Sequence, residues 1–277
     1  MDKFRNGFID FEKLVFRREL WVSMGESYDY KAGKKRVEEI LSNSIAIKDS
    51  NKIPTDEDVF TFNNGYYVWV TAIFVDIRNS SELFSQKGLN DKKKTAKMIR
   101  SFTSEIIEIL RVGETLREIG IRGDCVYAVY TTSTKQEIMQ CANKTFYVNT
   151  YLNMLNKLLE DNELSKFEAG VGMASAQELV IKAGRQQTGI NSKVWIGDAV
   201  TRASNLSSYG QSSITQKRLF FSDLAYSNFI DQLKKENPDA SVESWFSKHV
   251  DLSGKVSYYA DLVNSKFNTW IEQGMSE

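Results

Sequence analysis

Apolar and polar positions alternate with several different periods along this chain, and each change of period marks a new element. Over residues 1–60 short apolar patches interrupt charged stretches. Phe8, Phe11, Leu14 and Val15 recur at helical spacing, and so do Val37, Ile40 and Leu41. Lys48 to Asp58 is polar, contains Pro54 and reads as a connection. From Tyr66 the pattern becomes a near-continuous run, YYVWVTAIFVDI, rich in β-branched and aromatic residues, which predicts a central strand buried on both faces. The polar segment after it reads as a loop and a helix start. Met98, Ile99, Phe102, Ile106, Ile107 and Leu110 then predict an amphipathic helix over 95–110. Two apolar runs flank Arg122-Gly123-Asp124, which predicts a hairpin turning there.

Gln136 to Leu159 is expected to be a second long helix, with Phe146, Val148, Leu152, Leu155 and Leu158 on its apolar side. FEAGVGMASAQELV contains a strand. VWIGDAVTRASNLSSYG reads as a loop entering a helix, with Asp198 as its N-cap and Gly210 at its end. LFFSDLAYSNFIDQL gives a short strand and a helix, SYYADLV a last strand and FNTWIEQGMSE a tail. The order predicts an α+β protein, a sheet with helices on one face and a ferredoxin-like βαββαβ core. The expected organisation is a helical extension over 1–62, one domain over 63–264 and a tail over 265–277.

Composition narrows the function classes. Of 277 residues 42% are hydrophobic and 26% charged, as in ordinary globular chains. Thirty-six basic residues balance 36 acidic ones, so bulk charge holds the chain on neither nucleic acid nor anionic lipid. No apolar run approaches the ~20 residues that span a bilayer, and the N-terminus lacks a signal-peptide pattern, so a cytoplasmic location is expected. Two cysteines give no disulfide framework, and a single histidine, His249, disfavours histidine-based catalysis or metal binding. Any metal ligands would be carboxylates.

Asp76 ends the predicted central strand and Asp124 sits at the hairpin tip, so a βαββ arrangement can place them side by side. Singly, each reads as a helix cap or a turn residue. Together they would repel unless a hard cation lay between them, which suits Mg²⁺ or Mn²⁺ and, through it, a polyphosphate. Ile77-Arg78-Asn79-Ser80-Ser81 follows into a helix start, where backbone N–H groups can meet phosphate oxygens.

Four segments, FVDIRNSSELF, GIRGDCVYAVY, AGVGMASAQELV and WIGDAVTRASNL, resemble in order and spacing the catalytic domain of class III nucleotidyl cyclases, over roughly Tyr66 to Val263. The resemblance implies a head-to-tail homodimer with active sites at the interface and two Mn²⁺ or Mg²⁺ ions per site, converting a nucleoside triphosphate to a 3′,5′-cyclic nucleotide. It makes Asp76 and Asp124 metal ligands and gives Ile77 a backbone-carbonyl role. Lys255 falls near the family's triphosphate lysine, although a solvated turn lysine describes it better. Asn79, Ser80 and Ser81 would hold phosphates, with Arg78 or Arg122 in reach of phosphate or base.

Departures from the family pattern carry as much information. The purine-contacting lysine is replaced by Gly120, and its acidic partner falls near Val194 and Trp195, which leaves a purine's polar groups unpaired. The transition-state Asn and Arg fall on Thr201 and Asn205, with Arg202 adjacent, and the aromatic after the first aspartate is Ser80. This combination resembles the bacterial pyrimidine cyclases of the Pycsar antiphage systems. It implies UTP as substrate, or alternatively CTP, and a product read by a cyclic-nucleotide-responsive effector. The competing expectations are a degenerate cyclase-like dimer that binds nucleotide without turnover, and another two-metal nucleotidyl transferase on a similar core.

Overall fold

The computed structural model describes residues 28–54, 56, 59–83, 91–185 and 188–276. The helical pattern at Phe8 to Val15 lies outside the described residues. The chain divides into two compact units, residues 1–44 and 45–277. The described part of the first contains α1 (Tyr30–Ser42), capped by the Asp29 carboxylate, which accepts from the backbone N–H groups of Lys31 and Ala32. Val37, Ile40 and Leu41 are exposed on this helix.

The second unit runs β1 (Ala46–Asp49), β2 (Asn64–Ile77), α2 (Ser80–Leu83), α3 (Lys92–Arg111), β3 (Leu116–Arg122), β4 (Cys125–Thr131), α4 (Lys135–Asp161), β5 (Ala169–Gly184), β6 (Asn191–Ile196), α5 (Asp198–Ser207), β7 (Leu219–Ser222), α6 (Asp223–Glu236), a 3₁₀ turn (Val242–Trp245), β8 (Ser247–Val250), β9 (Val256–Ala260) and α7 (Ser265–Glu272). One sheet has the order β3-β4-β2-β5-β7-β9-β8, with β1 beside β2 and β6 beside β5. β2 is antiparallel to both β4 and β5. β2-α3-β3-β4-α4-β5 is therefore the expected βαββαβ core, with its four strands in the order β3-β4-β2-β5.

The apolar run of β2 is continuous because both faces of the strand are covered over its second half, although Tyr67 and Trp69 are exposed. Ile73, Val75 and Ile77 pack with Met98, Phe102, Ile106 and Leu110 of α3 and with the apolar side of α4. Val68, Val70 and Ala72 face the opposite way, against Ala199, Ala203 and Leu206 of α5. Even-numbered positions of β2 thus look toward α5, and Asp76 is one of them. Helices accordingly cover two faces of the sheet, where the sequence predicted one. α4 is held at its start by a capping box in which Thr134 and Glu137 each bond the other's backbone N–H.

Three expectations change. Val194, Trp195 and Ile196 form a strand instead of a loop, pairing with Ile181, Val180 and Leu179 of β5. The N-cap of α5 is Gly197; Asp198 is the first helical residue and makes no side-chain cap bond. The expected tail forms α7, capped by Asn264, with Ile271 buried and Lys157 donating to its carbonyl at 3.2 Å. Among the described residues no helix is long and apolar enough to cross a membrane.

Candidate active site

Pairing along β2 fixes the two aspartates. Asp76 lies opposite Cys125 on β4, and Arg122 opposite the same Cys125 on β3, so the Gly123-Asp124 turn closes the hairpin beside the end of β2. The two carboxylates interact: burial pushes the Asp76 carboxyl above its ordinary range, the Arg78 guanidinium opposes that rise and the Asp124 charge adds to it. A half-buried carboxylate with a second acidic group beside it, at the ends of adjacent strands, fits a hard divalent cation. Among the described residues no cluster of three or more His, Cys, Asp or Glu side chains is placed to hold a metal, so further ligands would be backbone carbonyls, water or substrate oxygens. Cys125, next in sequence to Asp124, has its thiol pushed up to about 12, chiefly by burial, and is an inert strand residue.

The segment after Asp76 turns sharply. Ile77 is buried and ends the strand, Asn79 takes a left-handed backbone conformation at φ 54°, and Ser80 and Ser81 open α2. Asparagine tolerates that conformation better than most residues. Arg78 does not project into solvent. Its guanidinium pairs with Oδ2 of Asp76 and donates at 2.9 Å to the carbonyl oxygen of Ser208, just past α5.

α5 lies close to the sheet because Gly170 and Gly172 of β5 have no side chains. A Cβ at Gly172 would sit 2.1 Å from the Ala203 carbonyl oxygen and 2.3 Å from the Ser207 nitrogen. Thr201 and Asn205 are exposed, one helical turn apart on α5. Arg202 is buried instead, donating at 2.7 Å to Asp251 and at 3.5 and 3.4 Å to the carbonyls of Lys255 and Val256. It ties α5 to the β8–β9 turn and does not reach outward. Lys255 meets Asp198 at 3.2 Å, at the start of α5. The predicted residues are thus spread along α5. Asp76, Ile77, Asn79, Ser80, Ser81, Asp124 and Arg122 lie at the end of the sheet beside its C-terminal turn, which carries Asn205; Thr201 lies in its first half, and Lys255 meets its N-terminal end, about 15 Å along a ten-residue helix.

Where the purine contacts would lie, a different cluster is built. Glu118, Gly120 and Arg122 share one face of β3, with Tyr127 opposite Gly120. A Cβ at Gly120 would come within 2.9 Å of the Tyr127 ring, so the glycine makes room for the tyrosine. The Tyr127 hydroxyl donates to Glu118 Oε1 at 2.6 Å, and the Trp195 indole N–H donates to Oε2 at 2.7 Å. Phe74 stacks on Tyr127 at 5.4 Å between centroids, and the Arg122 guanidinium lies 5.7 Å from that ring's centre. Composition and motif spacing do not single out Glu118 and Tyr127. Their signal is the hairpin register, since a turn at Gly123-Asp124 sets Gly120 against Tyr127. Glu178, another unforeseen residue, is fully buried on β5 and accepts from the Val200 N–H at 3.1 Å, anchoring the first turn of α5.

No family model matches the chain. A uridylate cyclase of Treponema porcinum is 47% identical over 248 residues, covering 90% of this chain and 82% of that protein. A uridylate cyclase of Gulbenkiania mobilis is 30% identical over 257 residues, covering 91% and 98%. Among solved structures, the guanylyl cyclase Cya2 aligns over 74% of this chain and 97% of its own at TM-score 0.54 and 15% identity. The adenylyl cyclase CyaB from P. aeruginosa aligns over 70% and 94% at TM-score 0.54 and 17% identity. At such identities these structures establish the fold, and the closer sequences establish the family: the chain belongs to the uridylate cyclases and has the fold of class III nucleotide cyclases.

Proposed function

We infer that this chain converts UTP to 3′,5′-cyclic UMP and pyrophosphate, in a site completed by a second copy of itself. The observation that carries this inference is the placement of Asp76 and Asp124 at the adjoining ends of β2 and the β3–β4 turn. These two carboxylates, with the Ile77 carbonyl, are the proposed holders of two Mg²⁺ or Mn²⁺ ions, whose chemistry when bound is activation of the ribose 3′-hydroxyl and neutralisation of phosphate charge. Overall, the 3′-oxygen bonds to the α-phosphorus, the bond to pyrophosphate breaks and the hydroxyl proton is released. Polar groups of Asn79, Ser80 and Ser81 would steady the departing phosphates.

From the partner, Thr201 and Asn205 would hydrogen-bond the ribose or α-phosphate, and Lys255 would approach the triphosphate. Separation of Lys255 from the aspartates along α5 supports a site shared between copies, because one chain does not bring them together. The Glu118–Tyr127–Trp195 cluster supports pyrimidine choice. It removes the room for a purine-contacting side chain at Gly120 and engages both oxygens of the nearest carboxylate. The product is read here as a second messenger for a cyclic-nucleotide-responsive effector in antiphage defence, on the strength of the resemblance alone.

A second possibility, a nucleotide-binding dimer without turnover, is favoured by one observation: Arg202, the arginine nearest the transition-state positions, is committed to Asp251. Incubation of the purified protein with each of the four ribonucleoside triphosphates, with Mn²⁺ or Mg²⁺, separates the two, with products identified by mass. Cyclic UMP is the expected product, abolished in Asp76→Ala. Cyclic AMP or cyclic GMP would refute the pyrimidine assignment. Tight UTP binding without pyrophosphate release would transfer the chain to the non-catalytic class.

A further inference from the structure

Arg78 is an unusual neighbour for a metal ligand. It stands two residues after Asp76, and its side chain folds back to pair with Oδ2 of that carboxylate, which keeps only part of its surface accessible. A second prong donates to the Ser208 carbonyl at 2.9 Å, while Nε is buried with no partner. A guanidinium seated permanently in a built pocket has its donors matched. This one is held by two contacts and has an unmatched donor, so its seat is incomplete. The oxygen it occupies belongs to a carboxylate paired in register with Cys125, next to Asp124, which carries the same sign of charge.

We propose that Arg78 is a resident counter-ion that exchanges with the divalent cation: guanidinium and metal compete for the Asp76 carboxylate, and loading of the site displaces Arg78 from it. This rests on Asp76 being a metal ligand, as inferred above. Arg78 is then a positioning residue that keeps two adjacent carboxylates compatible in the unloaded chain. Its second prong gives the exchange a structural consequence, because the group leaving Asp76 also bonds the carbonyl that follows the last turn of α5. Loading at the end of β2 would thereby change what holds the C-terminal end of the helix that carries Thr201 and Asn205.

Competition of this kind lowers apparent metal affinity by the fraction of time that Asp76 is uncovered. The test is the affinity for Mn²⁺ alone, without nucleotide, followed by the paramagnetic resonance signal of free Mn²⁺ on the full chain. Arg78→Gln is expected to bind Mn²⁺ at least about tenfold more tightly than wild type. Arg78→Lys retains the charge but not the two-pronged hold, so it should gain affinity by a smaller factor. Unchanged or weaker binding in Arg78→Gln overturns the exchange. So does a gain in Arg78→Gln alongside wild-type affinity in Arg78→Lys, which marks bulk charge alone. Should circular dichroism show Arg78→Gln unfolded, the lysine variant carries the test by itself. Asp76→Asn separates this failure from that of the underlying assignment: Mn²⁺ binding that survives there means Asp76 is no ligand, whereas its loss there with no gain at Arg78 refutes the exchange only.

Discussion

Close packing of α5 on β5 can be tested at a single methyl group. Gly172→Ala places a carbon 2.1 Å from the Ala203 carbonyl oxygen, 2.3 Å from the Ser207 nitrogen and 2.9 Å from the Leu206 carbonyl carbon. Ordinary contact needs about 3.5 Å, so α5 must retreat by roughly 1.4 Å. All three obstacles are backbone, and no side-chain rotation relieves them. Overpacking of this kind costs about 1–3 kcal/mol, and the upper end is expected here because the helix is also pinned by Arg202 and Glu178. A loss of about 3 kcal/mol corresponds to a fall in Tm of roughly 6–12 °C for a domain of this size. Function should suffer separately. Thr201 and Asn205 move with the helix, whereas Asp76 and Asp124 lie on strands that need not shift. Thermal unfolding, Mn²⁺ binding and cyclase turnover measured on one preparation read the three effects apart: lower Tm, turnover reduced at least about tenfold because misplacement by an ångström is costly, and retained Mn²⁺ affinity. Wild-type Tm and turnover in Gly172→Ala would refute the packing argument.

Other expectations follow from single contacts. Asp124→Asn should lower turnover at least about a hundredfold with secondary structure unchanged, read by product formation and circular dichroism. Tyr127→Phe removes the donor to Glu118; it should cost about 1 kcal/mol in chemical denaturation and narrow the ratio of kcat/KM for UTP over ATP. An unchanged ratio would remove the cluster from base choice. Lys255→Ala breaks only an exposed pair with Asp198 and should leave Tm within about a degree, while a raised KM for UTP would place the amine on the triphosphate. The Ser253 hydroxyl and then the Arg202 guanidinium hold the Asp251 carboxyl well below the ordinary 3.8. Its contribution to stability is therefore full above that value and declines as pH falls through and below it. The urea-midpoint difference between wild type and Asp251→Asn should be large at pH 7 and shrink below about pH 4.

The parts of this fold that sequence reveals are those in which one chemical pattern outlasts its surroundings. β2 is legible because both faces of its second half are buried, α3 because its apolar stripe recurs from Met98 to Leu110, and the β3–β4 turn because Gly123-Asp124 breaks two apolar runs. With those placed, Asp76 and Asp124 converge by register alone. β6 escapes because Asn191 and Ser192 are polar and exposed and its apolar run, Val194-Trp195-Ile196, is only three residues long. α7 escapes because only Ile271 is fully buried in two turns. The bonds from Arg78 to Ser208 and from Lys255 to Asp198 join residues 130 and 57 positions apart. No local period encodes them, and they decide which charges near the site are free. Arg202 illustrates the same point: it stands next to Thr201 in sequence, yet its partner Asp251 lies 49 positions away and draws it inward.

The distance along α5 between Lys255 and the two aspartates bears on how the protein would respond to its own abundance. On the proposed reading an isolated chain owns two incomplete halves that cannot meet, and catalysis begins only when another chain is met. Below the dissociation constant of the pair, output then rises with the square of the protein concentration rather than in proportion to it. Synthesis rate alone becomes a threshold device, silent at trace levels and steep beyond them.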